Sequence, residues 1–132
     1  MTIVIDSSVL VAALVDQGPV GEWAEELLVS GPLAAPHLMP VEVANILRRS
    51  ASAGIISADV ASLAHADLLS LRLELFPYSL SAARVWELRS TVTAYDAWYV
   101  ALAETLEARL ATLDAGLSRA GGPRCEFVLP PT

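Results

Sequence analysis

The sequence predicts an α/β fold with a parallel central sheet flanked by helices. Short β-branched segments such as Thr2–Ile5 are apolar on both faces, as in strands buried within a parallel sheet. These segments alternate with longer helical patterns that begin at capping residues. The length of 132 residues suits one domain, and the chain shows no internal repeat, low-complexity segment or linker. We therefore expect a single domain over residues 1–132.

The first half of the chain predicts two strands and four helices. Asp6-Ser7-Ser8 supplies N-cap chemistry for the first helix, and Gly18-Pro19 separates this helix from the second. Pro40 suits the first turn of the third helix. The predicted strands are Thr2–Ile5 and Leu33–Ala35, and the predicted helices are Val9–Val15, Val20–Val29, Pro40 through Arg49 to near Gly54, and Ser57 to about Arg72.

The second half predicts three strands and three helices. Thr93 introduces a long helix, and Gly121-Gly122 ends a short one. The predicted strands are Leu73–Tyr78, Leu110–Leu113 and Phe127–Leu129, and the predicted helices are Ser81–Arg89, Tyr95–Glu107 and Ala115–Arg119.

The charge balance is acidic, with a formal net charge of −7. All eight basic residues are arginine, so the sequence predicts no general basic surface for nucleic acid. A metal-dependent nuclease nevertheless concentrates acidic residues at its centre and binds phosphate partly through the cation. The absence of lysine also excludes every mechanism that requires one.

Four acidic residues fall where a parallel sheet would bring them to one edge. Asp6 and Asp114 each follow an apolar strand, and the carboxyl ends of parallel strands lie together. Glu42 and Asp96 each lie in the first turn of a helix that begins at that edge. Singly, each has an ordinary role, as a helix cap or as a charge that offsets a helix dipole. Together they repel one another, which favours binding of a hard divalent cation such as Mg²⁺.

Other chemistries fit this pattern less well. His37 and His65 have no paired serine or cysteine nucleophile, which argues against a histidine-based triad. A dehalogenase-like phosphatase needs a second aspartate where Ser8 stands, and a receiver domain needs a lysine. A dinucleotide-binding turn needs glycines after the first strand, and residues 5–9 contain none. A metal-assisted attack of water on a phosphodiester remains the best interpretation.

The segments that carry these acids resemble the PIN domain, and more narrowly the VapC-type ribonuclease toxins of bacterial toxin–antitoxin pairs. The resemblance covers essentially the whole chain, and the Tyr-Asp-Ala and Thr-Leu-Asp segments are its most specific parts. The matching segments are Ile-Val-Ile-Asp-Ser-Ser (3–8), Pro-Val-Glu-Val-Ala-Asn-Ile-Leu-Arg-Arg (40–49), Tyr-Asp-Ala-Trp-Tyr-Val-Ala-Leu-Ala-Glu (95–104) and Leu-Ala-Thr-Leu-Asp-Ala-Gly-Leu (110–117).

This resemblance implies an endoribonuclease that depends on Mg²⁺ or Mn²⁺, forms a homodimer and is neutralised by a cognate antitoxin. It makes Asp6, Glu42, Asp96 and Asp114 the catalytic and metal-binding set. Ser8 matches a hydroxyl position expected to hydrogen-bond within the acidic pocket. Thr112 matches the hydroxyl before the last acid, where a purely structural role stays open.

Helical spacing adds a candidate for contact with the RNA substrate. Glu42, Asn45 and Arg49 share one helix face, and Arg49 lies about 10 Å along the axis from Glu42. Arginine is suited to binding a phosphate, although an ordinary solvated role stays open for this one. Trp98, Leu102 and Leu106, spaced by four, are interpreted as core or dimer interface.

Two further functions remain open: a non-catalytic PIN-like binding module, and a phosphatase or DNA nuclease that uses the same acids. The chain has no run of about 20 apolar residues, and its N-terminus has no positively charged region before an apolar one. We therefore expect a cytoplasmic protein without a membrane segment. The single Cys125 is interpreted as an ordinary thiol.

Overall fold

A computed structural model describes all residues from 1 to 132. No helix is both long enough and apolar enough to cross a bilayer. The strands are β1 (Ile3–Ile5), β2 (Leu33–Pro36), β3 (Leu73–Phe76), β4 (Arg109–Ala111) and β5 (Phe127–Val128). The helices are α1 (Ser7–Val15), α2 (Pro19–Leu28), α3 (Met39–Ser52), α4 (Ala58–Ser70), α5 (Ala82–Glu87), α6 (Ala94–Leu106) and α7 (Ala115–Ser118), and Tyr78–Leu80 forms a 3₁₀ turn.

The five strands form one sheet in the order β3-β2-β1-β4-β5, and every neighbouring pair is parallel. The predicted α/β class with a parallel sheet flanked by helices is confirmed. The chain leaves β1 towards β2 on one side and later returns to place β4 on the other side. The sheet therefore has a topological switch point between β1 and β4, which is where such folds bind ligands.

Helices cover both faces of the sheet. Helices α1 to α4 pack against one another, whereas α6 packs against α5 and against strands β1, β2 and β4. Strand β1 is wholly buried, and Val4 and Leu110 at the centre of the sheet are 0% exposed. Burying a side chain of this size stabilises the fold by about 1.5–3 kcal/mol, which holds the central strands and their carboxyl ends in place.

The element boundaries differ from the sequence prediction by one or two residues, for local reasons. Strand β3 ends at Phe76, before the predicted Tyr78, because Pro77 has no N–H to donate and a 3₁₀ turn follows. Strand β4 ends at Ala111, not at the predicted Leu113. The side chain of the next residue, Thr112, hydrogen-bonds to Asp6 at the end of β1. Helix α3 closes at Gly54, whose φ of +75° lets Ile55 N donate to Ser50 O at 2.9 Å.

Candidate active site

Asp6 lies immediately beyond β1 and is only 9% exposed. Its Oδ2 accepts a 2.7 Å hydrogen bond from the Thr112 hydroxyl. Its Oδ1 accepts from the Ser7 hydroxyl at 3.2 Å and from Ser8 N at 3.4 Å, the latter as the N-cap of α1. A buried carboxylate needs such donors to offset its lost hydration. The local fold therefore holds Asp6 through three neutral groups.

Thr112 links Asp6 to the end of β4. Its side chain is 0% exposed, and its Oγ1 donates to Asp6 and accepts from Asp114 N at 3.1 Å. Asp114 is exposed, and its Oδ1 caps α7 by accepting from Leu117 N at 3.1 Å. One buried hydroxyl thus fixes the spacing between the acids that follow the two strands of the switch point.

Glu42 lies half-buried in the first turn of α3, and its Oε1 accepts a 2.6 Å hydrogen bond from the hydroxyl of Tyr99. Tyr99 comes from α6 and is 3% exposed. Sequence reasoning missed this partner of Glu42. The available signal was helical spacing, since Tyr99 lies three residues after Asp96 and so shares its helix face.

Asp96 lies half-buried in the first turn of α6. Its backbone N–H donates to Thr93 Oγ1 at 3.2 Å, so Thr93 caps the helix as predicted. Burial raises the pKa of Asp96, and the charges of Asp6 and Asp114 raise it further, against a smaller opposing effect of the Thr93 hydroxyl.

The four acids act on one another electrostatically. Burial also raises the pKa of Glu42, and the charges of Asp6 and Asp96 add to this effect, whereas the Tyr99 hydrogen bond opposes it. Burial and the neighbouring Glu42 raise the pKa of Tyr99, which keeps the phenol protonated and able to donate. The structure therefore places Asp6, Glu42, Asp96 and Asp114 together at the carboxyl edge of the sheet, around the β1/β4 switch point.

The available donor atoms suit a hard cation. All four side chains offer carboxylate oxygen, and Oε2 of Glu42 and Oδ2 of Asp114 make no hydrogen bond within the chain. Mg²⁺ and Mn²⁺ prefer such oxygen ligands, and a cation would relieve the charge repulsion that adds to the effect of burial on the pKa values of Glu42 and Asp96. The acids do not already form a coordination shell in the metal-free chain, because no three His, Cys, Asp or Glu side chains are arranged to hold a metal ion.

The two remaining candidate residues, Ser8 and Arg49, differ in their burial and contacts. Ser8 is half-buried and its Oγ accepts from Leu113 N at 3.4 Å, while the serine hydroxyl that reaches Asp6 belongs to Ser7. Arg49 is exposed in the last turn of α3 and forms no ion pair, whereas Arg48 Nε donates to Asn45 Oδ1 at 3.0 Å.

All three predicted core positions on α6 pack in or against the core of the domain. The Trp98 ring contacts Tyr78 edge to face, with ring centroids 5.2 Å apart. Leu102 is 1% exposed and belongs to the core, and Leu106 packs against the core while remaining partly exposed.

The model of the PIN domain matches residues 3–123 of the chain, which include all four acids. The chain belongs to the PIN-domain family. Within this family it is 36% identical over 129 residues to ribonuclease VapC9 of Mycobacterium tuberculosis, with 98% of each chain covered. It is 38% identical over 127 residues to ribonuclease VapC1 of the same organism, with 96% of each covered. This PIN domain is therefore one of the VapC ribonucleases.

Solved PIN-domain structures share its fold at lower identity. The structure of VapBC2 from Rickettsia felis, bound to a DNA fragment from its promoter, matches with a TM-score of 0.72 and 16% identity, and covers 99% of this chain and 100% of the other. The structure of PAE2754 from Pyrobaculum aerophilum matches with a TM-score of 0.65 and 24% identity, over 89% of this chain and 82% of the other. At these identities the likeness concerns the fold alone.

Proposed function

We propose that this VapC ribonuclease is a divalent-metal-dependent endoribonuclease, the toxin of a type II toxin–antitoxin pair, and that it hydrolyses RNA phosphodiester bonds at Asp6, Glu42, Asp96 and Asp114. One observation carries the proposal: four acids from four different elements share one edge of the sheet, where burial and the charges of neighbouring acids raise the pKa values of Glu42 and Asp96. If the four acids served only as helix caps, they would not need to lie at the same edge of the sheet. The identity to VapC9 and VapC1, both named ribonucleases, supports RNA as the substrate.

The same four carboxylates are the proposed ligands for Mg²⁺ or Mn²⁺. A bound divalent cation would activate water and neutralise developing charge on the phosphodiester. Oε2 of Glu42 and Oδ2 of Asp114, which have no hydrogen-bond partner in the chain, are among the oxygens open to it.

The protein's own contribution is to hold these acids before substrate arrives. Thr112 fixes the carboxylate plane of Asp6, and Tyr99 fixes that of Glu42. The side chains of Thr112 and Tyr99 are both buried, so water does not readily replace either hydrogen bond. Groups of this kind, which orient metal-binding carboxylates, contribute substantially to affinity and activity.

Ser8 and Arg49 are the proposed contacts to RNA outside the acidic set. The Ser8 hydroxyl accepts from Leu113 N, which leaves its own hydrogen free to donate within the pocket. Arg49 is exposed, forms no ion pair and lies two turns along α3 from Glu42, where a phosphate of the bound strand would pass.

Partners are proposed to include a second copy of the chain and a cognate antitoxin. Large apolar side chains are exposed beside and along α4, with Ile55 at 76%, Leu63 at 67% and Leu69 at 71%. An acidic pocket in a chain of net charge −7 would attract a segment that is both apolar and basic. We place both partners and the RNA substrate in the cytoplasm.

Cleavage of RNA by the purified protein tests the proposal. We expect cleavage with Mg²⁺ or Mn²⁺ and none with EDTA. Asp6→Asn and Asp96→Asn should lower the rate by orders of magnitude, while Asp59→Asn, which alters an exposed first-turn acid of α4, should not. Absence of any metal-dependent cleavage would instead favour a non-catalytic binding module, and preferential cleavage of DNA would contradict the choice of RNA.

Co-expression with an adjacent short reading frame tests the antitoxin. We expect growth arrest without it and rescue with it, and rescue should depend on a basic residue of the partner that displaces metal. Neutralisation by a partner without such a residue, with metal still bound, would contradict insertion into the acidic pocket.

A further inference from the structure

Tyr95 is an exposed aromatic residue that lies next to one of the proposed site acids. It directly precedes Asp96 in the first turn of α6, and its side chain is 63% exposed. One turn further along the same helix, Tyr99 is 3% exposed and hydrogen-bonded to Glu42. The helix thus presents one buried tyrosine inside the acidic site and one exposed tyrosine at its start.

Helical geometry places Tyr95 at the rim of the same site. Tyr95 lies four residues before Tyr99 and Asp96 lies three before it, so each is a neighbour of Tyr99 across one turn of α6. Tyr99 on this face contacts Glu42, and Asp96 lies within electrostatic range of Asp6. From its position one turn before Tyr99 and next to Asp96, we expect the exposed Tyr95 ring to lie at the rim of the acidic pocket.

The Tyr95 ring has no partner within the chain. Tyr99 is the only tyrosine whose hydroxyl is hydrogen-bonded to another residue of the chain, and the Tyr78 ring packs against Trp98. Tyr95 forms neither type of contact. An exposed aromatic ring without packing partners offers a free π-face, which any RNA base can stack on.

Because the molecule is acidic, base stacking would contribute a larger share of its affinity for RNA. The chain has no lysine, and Arg84 is engaged in ion pairs with Glu87 and Glu104. Phosphate contacts in this acidic protein therefore depend on few cations. Base stacking supplies affinity that does not depend on positive charge.

We infer that Tyr95 stacks on an unpaired RNA base next to the scissile bond and so helps to position single-stranded RNA at the four carboxylates. The inference rests on the proposed ribonuclease function and names a substrate-binding residue for it. Because the contact exists before and during cleavage, it contributes to binding of the substrate and of the transition state alike.

Steady-state cleavage of a single-stranded RNA with Mn²⁺ provides the first test. We expect Tyr95→Ala to raise KM about tenfold with kcat nearly unchanged, and Tyr95→Phe and Tyr95→Trp to retain the parent KM. Trp86→Ala is the matched control, since Trp86 on α5 is 66% exposed, and its KM should be unchanged. The melting temperatures of all four variants should match the parent.

An RNA with one base removed at successive positions provides the second test. If Tyr95 stacks on a particular base, removing that base should raise KM for the parent but have no further effect on Tyr95→Ala. Additive effects at every position would overturn the inference, as would an unchanged KM in Tyr95→Ala. Loss of antitoxin binding in that variant with unchanged RNA kinetics would assign the ring to a protein contact instead. A parent that cleaves no RNA would refute the ribonuclease proposal itself.

Discussion

The hydroxyl of Tyr99 donates a 2.6 Å hydrogen bond to Oε1 of Glu42 and so joins α6 to α3 across the carboxyl edge of the sheet. The two residues are 57 positions apart in the chain. Burial and the adjacent Glu42 raise the pKa of Tyr99, so the phenol stays a donor at all physiological pH values. Glu42 therefore has one oxygen fixed by the protein and one left for a ligand.

Replacing Tyr99 with phenylalanine keeps the buried ring and removes only this donor. We expect cleavage of RNA to fall about 10–100-fold, because groups that orient metal-binding carboxylates have effects of this size. The free energy of unfolding should fall by about 1 kcal/mol, the typical net contribution of a hydrogen bond. Tyr78→Phe is the control, since the Tyr78 hydroxyl has no partner in the chain. Full activity in Tyr99→Phe would show that Glu42 needs no orienting group.

Thr112 makes the corresponding contact to Asp6, and Thr112→Val removes its hydroxyl at nearly constant volume. Oδ2 of the buried Asp6 and the backbone N–H of Asp114 would then lose the hydrogen-bond partner that the fully buried Thr112 provides. We expect a loss of about 1–3 kcal/mol in stability by urea unfolding, together with slower cleavage. Thr112→Ser keeps the hydroxyl and should retain most of the activity. Equal activity in the Val and Ser variants would leave Thr112 with a packing role alone.

The sheet, and the position of the four acids at its carboxyl edge, could be predicted from the sequence because both follow local rules, whereas the catalytic role of these acids stays a prediction. The first strand was recognisable as a short β-branched run, and Asp6 and Asp114 as acids that follow apolar strands. The errors occurred where a neighbour overrides propensity: Pro77 ends β3 early, and the Thr112 side chain turns towards Asp6. These are corrections of one or two residues.

The contacts that support the acids could not be predicted in the same way. Whether Tyr99 reaches Glu42 depends on how α3 and α6 approach each other, and periodicity within one helix does not encode that distance. Ser7 and Ser8 illustrate the same limit, since both are hydroxyls beside Asp6 and only the fold decides that Ser7 donates to it. The roles of Ser8 and Arg49, like the catalytic and metal-binding roles of the four acids, remain predictions.

Asp96→Asn is expected to stabilise the metal-free protein while it removes activity. Burial and the charges of Asp6 and Asp114 raise the pKa of Asp96, which means that its ionised form is less favourable in the folded chain than in the unfolded one. A neutral amide removes that penalty, so the melting temperature without metal should rise by about a few degrees at neutral pH. Asp59→Asn should show no such rise. A lower melting temperature for Asp96→Asn would mean that the site acids do not repel one another.

Added Mg²⁺ or Mn²⁺ should stabilise the folded chain by an amount that grows with the logarithm of the metal concentration once it exceeds Kd. A cation at ten times its Kd contributes about 1.4 kcal/mol, which corresponds to a rise of a few degrees in melting temperature. Asp114→Asn should reduce this rise, because Oδ2 of Asp114 is one of the oxygens without a partner. Asp59→Asn should keep the full rise. The same metal-induced shift in Asp114→Asn and the parent would place Asp114 outside the metal site.

The Glu104–Arg84 pair predicts how stability depends on pH away from the site. Arg84 Nε donates to Glu104 Oε1 at 2.8 Å, and Arg124 N donates to Oε2 at 2.7 Å, which ties α5 and the segment before β5 to α6. Burial alone would raise the pKa of Glu104, but these hydrogen bonds and the nearby guanidinium charges outweigh it and hold the pKa below its ordinary value of 4.5.

A lowered pKa means that folding favours the ionised carboxylate, so this contribution to stability is complete at neutral pH and is lost as the pH falls from about 4.5 through the lowered value. Glu104→Gln should therefore reduce the free energy of unfolding by about 1 kcal/mol at neutral pH, and the gap to the parent should shrink as the pH approaches about 3. Glu87→Gln is the matched control: Glu87 also pairs with Arg84, at 3.3 Å, but its side chain is 64% exposed, so little change is expected. Urea unfolding of the three proteins across this pH range measures the effect. A gap between Glu104→Gln and the parent that stays constant as the pH falls would show that shape, and not the charge of the carboxylate, holds these segments together.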